Sequence, residues 1–266
     1  MTVLTLECDS GEKDLVSAEL YSSGTIGIVE EETAGGRVRL RAYFEEAPQV
    51  APGLEEYRPL LGQADPTDWV ALSQSQWEPF PVGARFYLVP VWRDDPAPGG
   101  RLRLAIPPGN ASGTGLHPAT QLAIEVLERT VSKGALVLDI GTGSGILAAA
   151  ALLLGAGRVI ACDIDEEAAR SARDYVLGGA VSVYAGSTRS LRAASVDLVA
   201  ANLSRQGLTA AAREIARVLR VGGCAILSGF NSDRPPRLDG NALETLETVT
   251  RDGWSVWVAR KAAGFG

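Results

Sequence analysis

The run Val137-Leu138-Asp139-Ile140-Gly141-Thr142-Gly143-Ser144-Gly145-Ile146 narrows what this chain can fold into more than any other stretch. An apolar strand segment ends in an acid, three glycines alternate, and an alanine- and leucine-rich helix begins at once. Glycine tolerates the positive φ of a tight strand-to-helix turn, and its missing side chain lets backbone approach a ligand at a helix N-terminus. A strand feeding a helix in this way is half of a βαβ unit.

The pattern around it repeats that unit. Helical spacing over 119–130 leads to a strand over 136–140, a helix over 146–154, a strand over 158–162 and a helix over 166–177. Strands over 182–184 and 196–201, a helix over 208–219 and a strand over 224–228 follow, then a helix near 242–250 and a strand over 254–259. Strands separated by helices predict a mostly parallel sheet in an α/β fold. The N-terminal part reads differently. A strand over 3–7, a helix over 14–21, strands over 25–32 and 37–44 and a short helix over 52–61 make a small α+β unit. We therefore expect an N-terminal domain over 1–62, a helical linker over 63–84 containing Trp69 and Trp77, and a large domain over 85–266 with strands at 85–92 and 102–106.

Bulk properties exclude several classes. At 266 residues the chain holds one large α/β domain plus a smaller one. A net charge of −7 argues against direct nucleic-acid binding, which depends on Lys/Arg–phosphate contacts, and suits a basic protein partner. Cys8, Cys162 and Cys224 lie far apart with no zinc-ligand spacing, so no metal site is expected and a reducing, cytoplasmic setting fits. The apolar run 146–154 is too short to cross a bilayer, so no membrane partner is expected. A monomer is the expected state.

A glycine turn alone is shared by NAD dehydrogenases, flavoproteins and methyltransferases, and it also occurs where only tight strand–helix packing is needed. Here the glycines fall at Gly141, Gly143 and Gly145, whereas a dinucleotide fingerprint places its third glycine at 146, which is Ile. Asp139 before the turn repels a pyrophosphate but suits S-adenosylmethionine, which carries an ammonium and a sulfonium and no phosphate. Asp163 follows Gly141 by 22 residues, at the tip of the next strand, where its oxygens can accept from both ribose hydroxyls.

Two further clusters carry chemistry. Gly113-Thr114-Gly115-Leu116-His117-Pro118-Ala119-Thr120 is a loop entering a helix, and it holds the only histidine. It lines the transfer site, or His117 is a structural loop residue. Asp197-Leu198-Val199-Ala200-Ala201-Asn202-Leu203 ends a strand at Asn202, where open α/β sheets place ligand contacts. Asn202 is a plain strand stop or an amide whose carbonyl accepts from an incoming amine.

Together these motifs resemble the methyltransferases of ribosomal protein L-eleven, the PrmA family. That family combines G-T-G-x-H-P-x-T, L-D-x-G-x-G-S-G-I-L-A, a D-I-D strand end and V-A-N-L/I, matched here at 113–120, 138–148, 163–165 and 199–203, with an L-x-x-G-G turn at 219–223. Ser112 departs from the family's Phe, and 73–76 from its Trp-Lys connector. The resemblance implies a Rossmann-like class I methyltransferase with a seven-stranded mostly parallel sheet, helices on both faces, and a ferredoxin-like N-terminal domain that recognises substrate. It implies that Thr120, Asp139, Gly141, Gly143, Gly145, Asp163 and Asn202 serve S-adenosylmethionine, and that Asn202, Thr114 and His117 serve the transfer. The implied acceptor is lysine side chains or the N-terminal amine of a basic ribosomal protein. An NAD-dependent oxidoreductase, a methyltransferase of another amine, and a non-catalytic binding module are the alternatives.

Overall fold

The computed structural model describes the 266-residue chain except residues 34, 49–51, 64–76, 107–114, 116, 177–180, 239–241 and 264–266. It divides into two compact units, Met1–Glu78 and Pro79–Gly266. Among the described residues no helix is long and apolar enough to cross a membrane.

The first unit is built from β1 (Thr2–Asp9), α1 (Lys13–Ser22), β2 (Gly27–Thr33), β3 (Arg37–Phe44), a 3-10 turn (Pro52–Tyr57) and β4 (Leu60–Gln63). The strands lie in the order β2-β3-β1-β4, with each neighbouring pair antiparallel. That is the strand order 4-1-3-2 of a ferredoxin-like βαββαβ unit, with a 3-10 turn in place of the second helix. Strict alternation in β1 and β3 puts Leu4, Leu6, Cys8, Leu40, Ala42 and Phe44 on one buried face, packed with Val16 and Leu20 of α1. Of the helix expected over 52–61, only the 3-10 segment Pro52–Tyr57 forms. Pro59 disfavours the helical conformation in the residue before it, and Arg58 sits at φ 49°, so the chain turns and Leu60 starts an edge strand instead.

The second unit opens with a small sheet of β5 (Phe80–Val82), β6 (Phe86–Pro90) and β7 (Leu102–Ile106). Then come α2 (Pro118–Thr130), β8 (Leu136–Ile140), α3 (Ile146–Leu153), β9 (Arg158–Asp163), α4 (Glu166–Tyr175) and β10 (Val181–Ala185). After β11 (Val196–Asn202) the chain forms α5 (Arg205–Val218), β12 (Leu219–Asn231), β13 (Leu243–Arg251) and β14 (Trp254–Lys261). The large sheet runs β10-β9-β8-β11-β12-β14-β13. Counted in chain order this is 3-2-1-4-5-7-6: the doubly wound order with one extra strand, β14, inserted antiparallel to both neighbours. Val137, Leu138, Val159, Val199 and Ile226 are fully buried, as expected of strands covered on both faces.

The helix expected near 242–250 is strand β13. Its leucines at 243 and 246 mimic helical spacing, but Thr245, Thr248, Val249 and Thr250 favour an extended chain. The decisive signal is Asp252-Gly253, at φ 50° and 76°, a two-residue hairpin turn that pairs Arg251 with Trp254. The reversal of β11 to β8 leaves a topological switch point at the carboxyl ends of these two strands, where such sheets bind ligands.

Candidate active site

The glycine turn between β8 and α3 has Gly141, Gly143 and Gly145 all at positive φ, 66°, 52° and 84°. A side chain at Gly145 would also press on Val176 and the Tyr175 ring, so the glycine serves both conformation and close packing. Four of the turn's amides are engaged within the protein. Gly141 and Thr142 donate to the Cys162 carbonyl at 2.9 and 3.1 Å, and Gly145 donates to the Thr142 carbonyl at 2.8 Å. Gly143 donates to Asp163 Oδ2 at 2.9 Å. This turn is a shaped floor with a carboxylate on it.

Asp163 closes β9. Its Oδ1 accepts from the Asp165 amide at 3.1 Å, and its carboxylate borders a cleft of about 460 Å³ also lined by Gly141, Ile164, Ser187, Thr188 and Leu203. Both carboxylate oxygens keep lone pairs for hydroxyl donors. Ile164 was not singled out from sequence, yet it is 87% exposed beside Asp163. An isoleucine left open in a cleft is an apolar platform for a flat ring. Arg217 was also missed. It donates to the carbonyls of Thr188 and Leu191 while paired with Glu214, tying the cleft's rim to α5. Its guanidinium holds the Glu214 carboxyl below its ordinary pKa.

Asp139 lies beneath the turn, 1% exposed. Its Oδ2 accepts from Thr142 Oγ1 at 2.7 Å and from the Ala148 amide at 3.2 Å, while buried Oδ1 has no partner among the described residues. Burial pushes its pKa up to about 6, and those two donors only partly offset that effect. The acid thus fastens the turn to α3 and keeps one acceptor unfilled.

At the end of β11, Asn202 Nδ2 donates to Thr120 Oγ1 of α2 at 3.0 Å, joining residues 82 apart in sequence. With its NH2 group on Thr120, the amide leaves Oδ1 as the acceptor for a ligand. Beneath it, a side chain on Gly229 (φ 94°) would lie 2.8 Å from Asn202 Oδ1, so only bare backbone fits there. Gly229 was missed; a glycine inside a strand pattern is the signal for such an approach, and the register of β12 shifts there.

His117 caps α2. Its Nδ1 accepts from the Ala119 amide at 3.2 Å, and its ring stands edge-on to Trp254 at 4.3 Å between centroids. Partial burial lowers its pKa. A ring with Nδ1 engaged as an acceptor is neutral and carries its proton on Nε2. Thr114, Ser112 and the connector residues 73–76 lie outside the described residues.

These residues fit S-adenosylmethionine. The Asp163 carboxylate, on the cleft and with lone pairs to spare, calls for a ligand with hydroxyl donors. The Gly143 amide, which a dinucleotide's pyrophosphate would approach, already donates to Asp163.

Residues 38–262 match the family described as Ribosomal protein L11 methyltransferase (PrmA). A ribosomal protein L11 methyltransferase from Thiobacillus denitrificans is 39% identical over 84% of this chain and 74% of its own length. One from Pelobacter propionicus is 32% identical over 97% of this chain and 88% of its own length. The solved ribosomal protein L11 methylase of Lactobacillus delbrueckii subsp. bulgaricus superposes with a TM-score of 0.62 at 28% identity, covering 70% of this chain and all of that one. The chain belongs to the ribosomal protein L11 methyltransferase (PrmA) family of S-adenosylmethionine-dependent methyltransferases.

Proposed function

We propose that this chain methylates amines of ribosomal protein L11, on lysine side chains, the N-terminal amine or both. The observation that carries the chemistry is Asn202, whose amide nitrogen is fixed by Thr120 at the end of β11 and whose Oδ1 is left in the acceptor role. When bound, S-adenosylmethionine supplies an electrophilic methyl group on a sulfonium. Asp163 would hold its ribose, Ile164 would lie against its adenine, and Asp139 with the glycine turn would shape the floor.

The amine must arrive neutral. At pH 7 an unperturbed lysine costs about 4–5 kcal/mol to deprotonate, an α-amine about 1 kcal/mol. Asn202 Oδ1 accepts one N–H and so aims the nitrogen lone pair, which makes positioning the main catalytic device. His117, its Nδ1 engaged as a helix cap, is proposed to line the transfer site, with deprotonation of the amine to solvent preceding the chemistry. Thr114 is proposed to help close the site.

Charge supports a basic acceptor. Met1–Glu78 holds 15 acidic and 5 basic residues, net −10, whereas Pro79–Gly266 holds 17 and 20, net +3; together they make the −7 of the whole chain. We assign substrate recognition to the acidic N-terminal unit, and place the enzyme in the cytoplasm, where three free thiols are stable. The test is mass spectrometry of purified L11 after incubation with the enzyme and S-adenosylmethionine. Added methyl groups that disappear with Asn202→Ala, at unchanged cofactor affinity, are the expected result. An unmodified L11 would overturn the reading.

A further inference from the structure

Helix α5 starts just past Leu203, and its two flanks differ. Gly207, Ala210, Ala211 and Glu214 line the cofactor cleft. On the opposite flank Arg205, Thr209 and Arg213 follow at i, i+4 and i+8, so they form one row, and all three are exposed. Thr209 Oγ1 accepts from the Arg237 amide at 3.0 Å, which lays the segment Arg234-Pro235-Pro236-Arg237 along that flank and adds a third arginine. The two prolines stiffen this segment. It hangs from the end of β12, where Arg234 donates to the Asn231 carbonyl at 3.0 Å, and Asn231 pairs with the Trp254 that packs on His117. The row starts at Arg205, three residues past Asn202, on the flank away from the cofactor cleft.

Nothing in the fold accounts for these cations. Among the described residues no carboxylate forms an ion pair with Arg205, Arg213 or Arg237, whereas Arg217 on the same helix is paired with Glu214. Arg205 occupies the first position of α5, after the Ser204 cap and with no acid in the first turn. A cation there opposes the helix dipole, so the placement does not serve stability.

We propose that this arginine row docks an acidic segment of the acceptor protein beside the amine to be methylated. The inference rests on the proposed function and adds a specificity element to it. The acceptor's basic bulk suits the acidic N-terminal unit, and carboxylates flanking the target amine suit the row. Rim charges of this kind act through encounter rate and its salt dependence more than through buried contacts.

The sign of the effect makes the test sharp. For a basic acceptor, removing two positive charges from the enzyme should raise kcat/KM by general electrostatics. Specific docking demands the reverse. We expect the Arg205→Gln/Arg237→Gln enzyme to lose about tenfold in kcat/KM on L11 at low ionic strength, with kcat and the S-adenosylmethionine Kd unchanged. The deficit should vanish at high salt, where screening shortens to a few ångströms. Arg213→Gln, checked by its melting temperature, should show the same direction alone. Unchanged or raised kcat/KM overturns the proposal. So does competitive inhibition by poly(U) that the substitutions relieve while L11 kinetics stay at wild-type values, which assigns the row to nucleic acid. A wild-type enzyme inert on L11 overturns the proposed function, and this inference with it, before any variant is made.

Discussion

Replacing Asp139 with Asn should stabilise the ligand-free protein at neutral pH while weakening its cofactor site. Burial raises the Asp139 pKa from 3.8 to about 6. A group raised in the folded state contributes stability that is fully present below its unfolded pKa and is lost as pH rises through its folded pKa. Here that window runs from about pH 4 to about pH 6, and the loss above it is about 3 kcal/mol at 1.36 kcal/mol per unit. Asparagine keeps an acceptor for Thr142 Oγ1 and the Ala148 amide but has no charge to bury. The variant should therefore match wild type near pH 4 and exceed it by up to about 3 kcal/mol at pH 8. For a unit of this size that is roughly 6–12 °C in melting temperature. Thermal or urea unfolding of both proteins across that range, read as their difference, isolates this one group. A difference that stays flat with pH, or a variant less stable at pH 8, would refute the burial argument. Calorimetry should meanwhile show weaker S-adenosylmethionine binding, the usual exchange of stability for function at a strained site.

Three other outcomes follow from the geometry. Asp163→Asn should weaken S-adenosylmethionine binding about 10- to 100-fold by calorimetry, since it removes a charged acceptor while leaving an oxygen for the Gly143 amide. Gly145→Ala forces a φ of 84° on an L-residue against Val176 and Tyr175, and should cost at least about 1–2 kcal/mol of folding stability in denaturant titrations. His117 has a lowered pKa and caps α2 only when unprotonated, so its contribution is present above its unfolded pKa of 6.5 and is lost as pH falls through its folded value. His117→Asn, a cap that does not titrate, should abolish that acid loss and match wild type at pH 8, with the cap itself worth about 1 kcal/mol.

The parts of the fold that were legible in sequence are those where one local signal dominates. The runs around β8, β9 and α3 are continuous apolar segments bounded by glycines, and their periodicity and ends agree with the structure to within a residue or so. The parts misread are those where two signals compete. Leu243 and Leu246 lie three apart and suggest a helix, but the Asp252-Gly253 turn requires a strand partner for β14, and the register shift between Thr245 and Glu247 leaves Leu246 exposed at 45%. Leu60 and Leu61 look like helix continuation until Pro59 is weighed. The site shows the same division. Its residue types were legible because glycines, terminal acids and a strand-end amide are chemically distinctive. Their partners were not. The Asn202–Thr120 bond, the seat of Asp163 on the Gly143 amide and the bare backbone of Gly229 beneath Asn202 join segments far apart in sequence, and no local pattern encodes them.

Those partners explain why a turn of such general shape serves a particular chemistry. In each half of the site an internal donor is matched internally and an acceptor is left over. The Gly143 amide goes to Asp163, leaving a carboxylate facing the cleft. The Thr142 hydroxyl and the Ala148 amide go to one oxygen of Asp139, leaving the other unfilled. The Asn202 amide nitrogen goes to Thr120, leaving its carbonyl. An acceptor left over at the cleft favours ligands that bring their own N–H or O–H groups. In the proposed function, ribose hydroxyls meet that demand at Asp163 and an amine meets it at Asn202. The proposed roles of Asp163 and Asn202 thus follow one rule: each donor is matched inside the protein and an acceptor is left for the ligand.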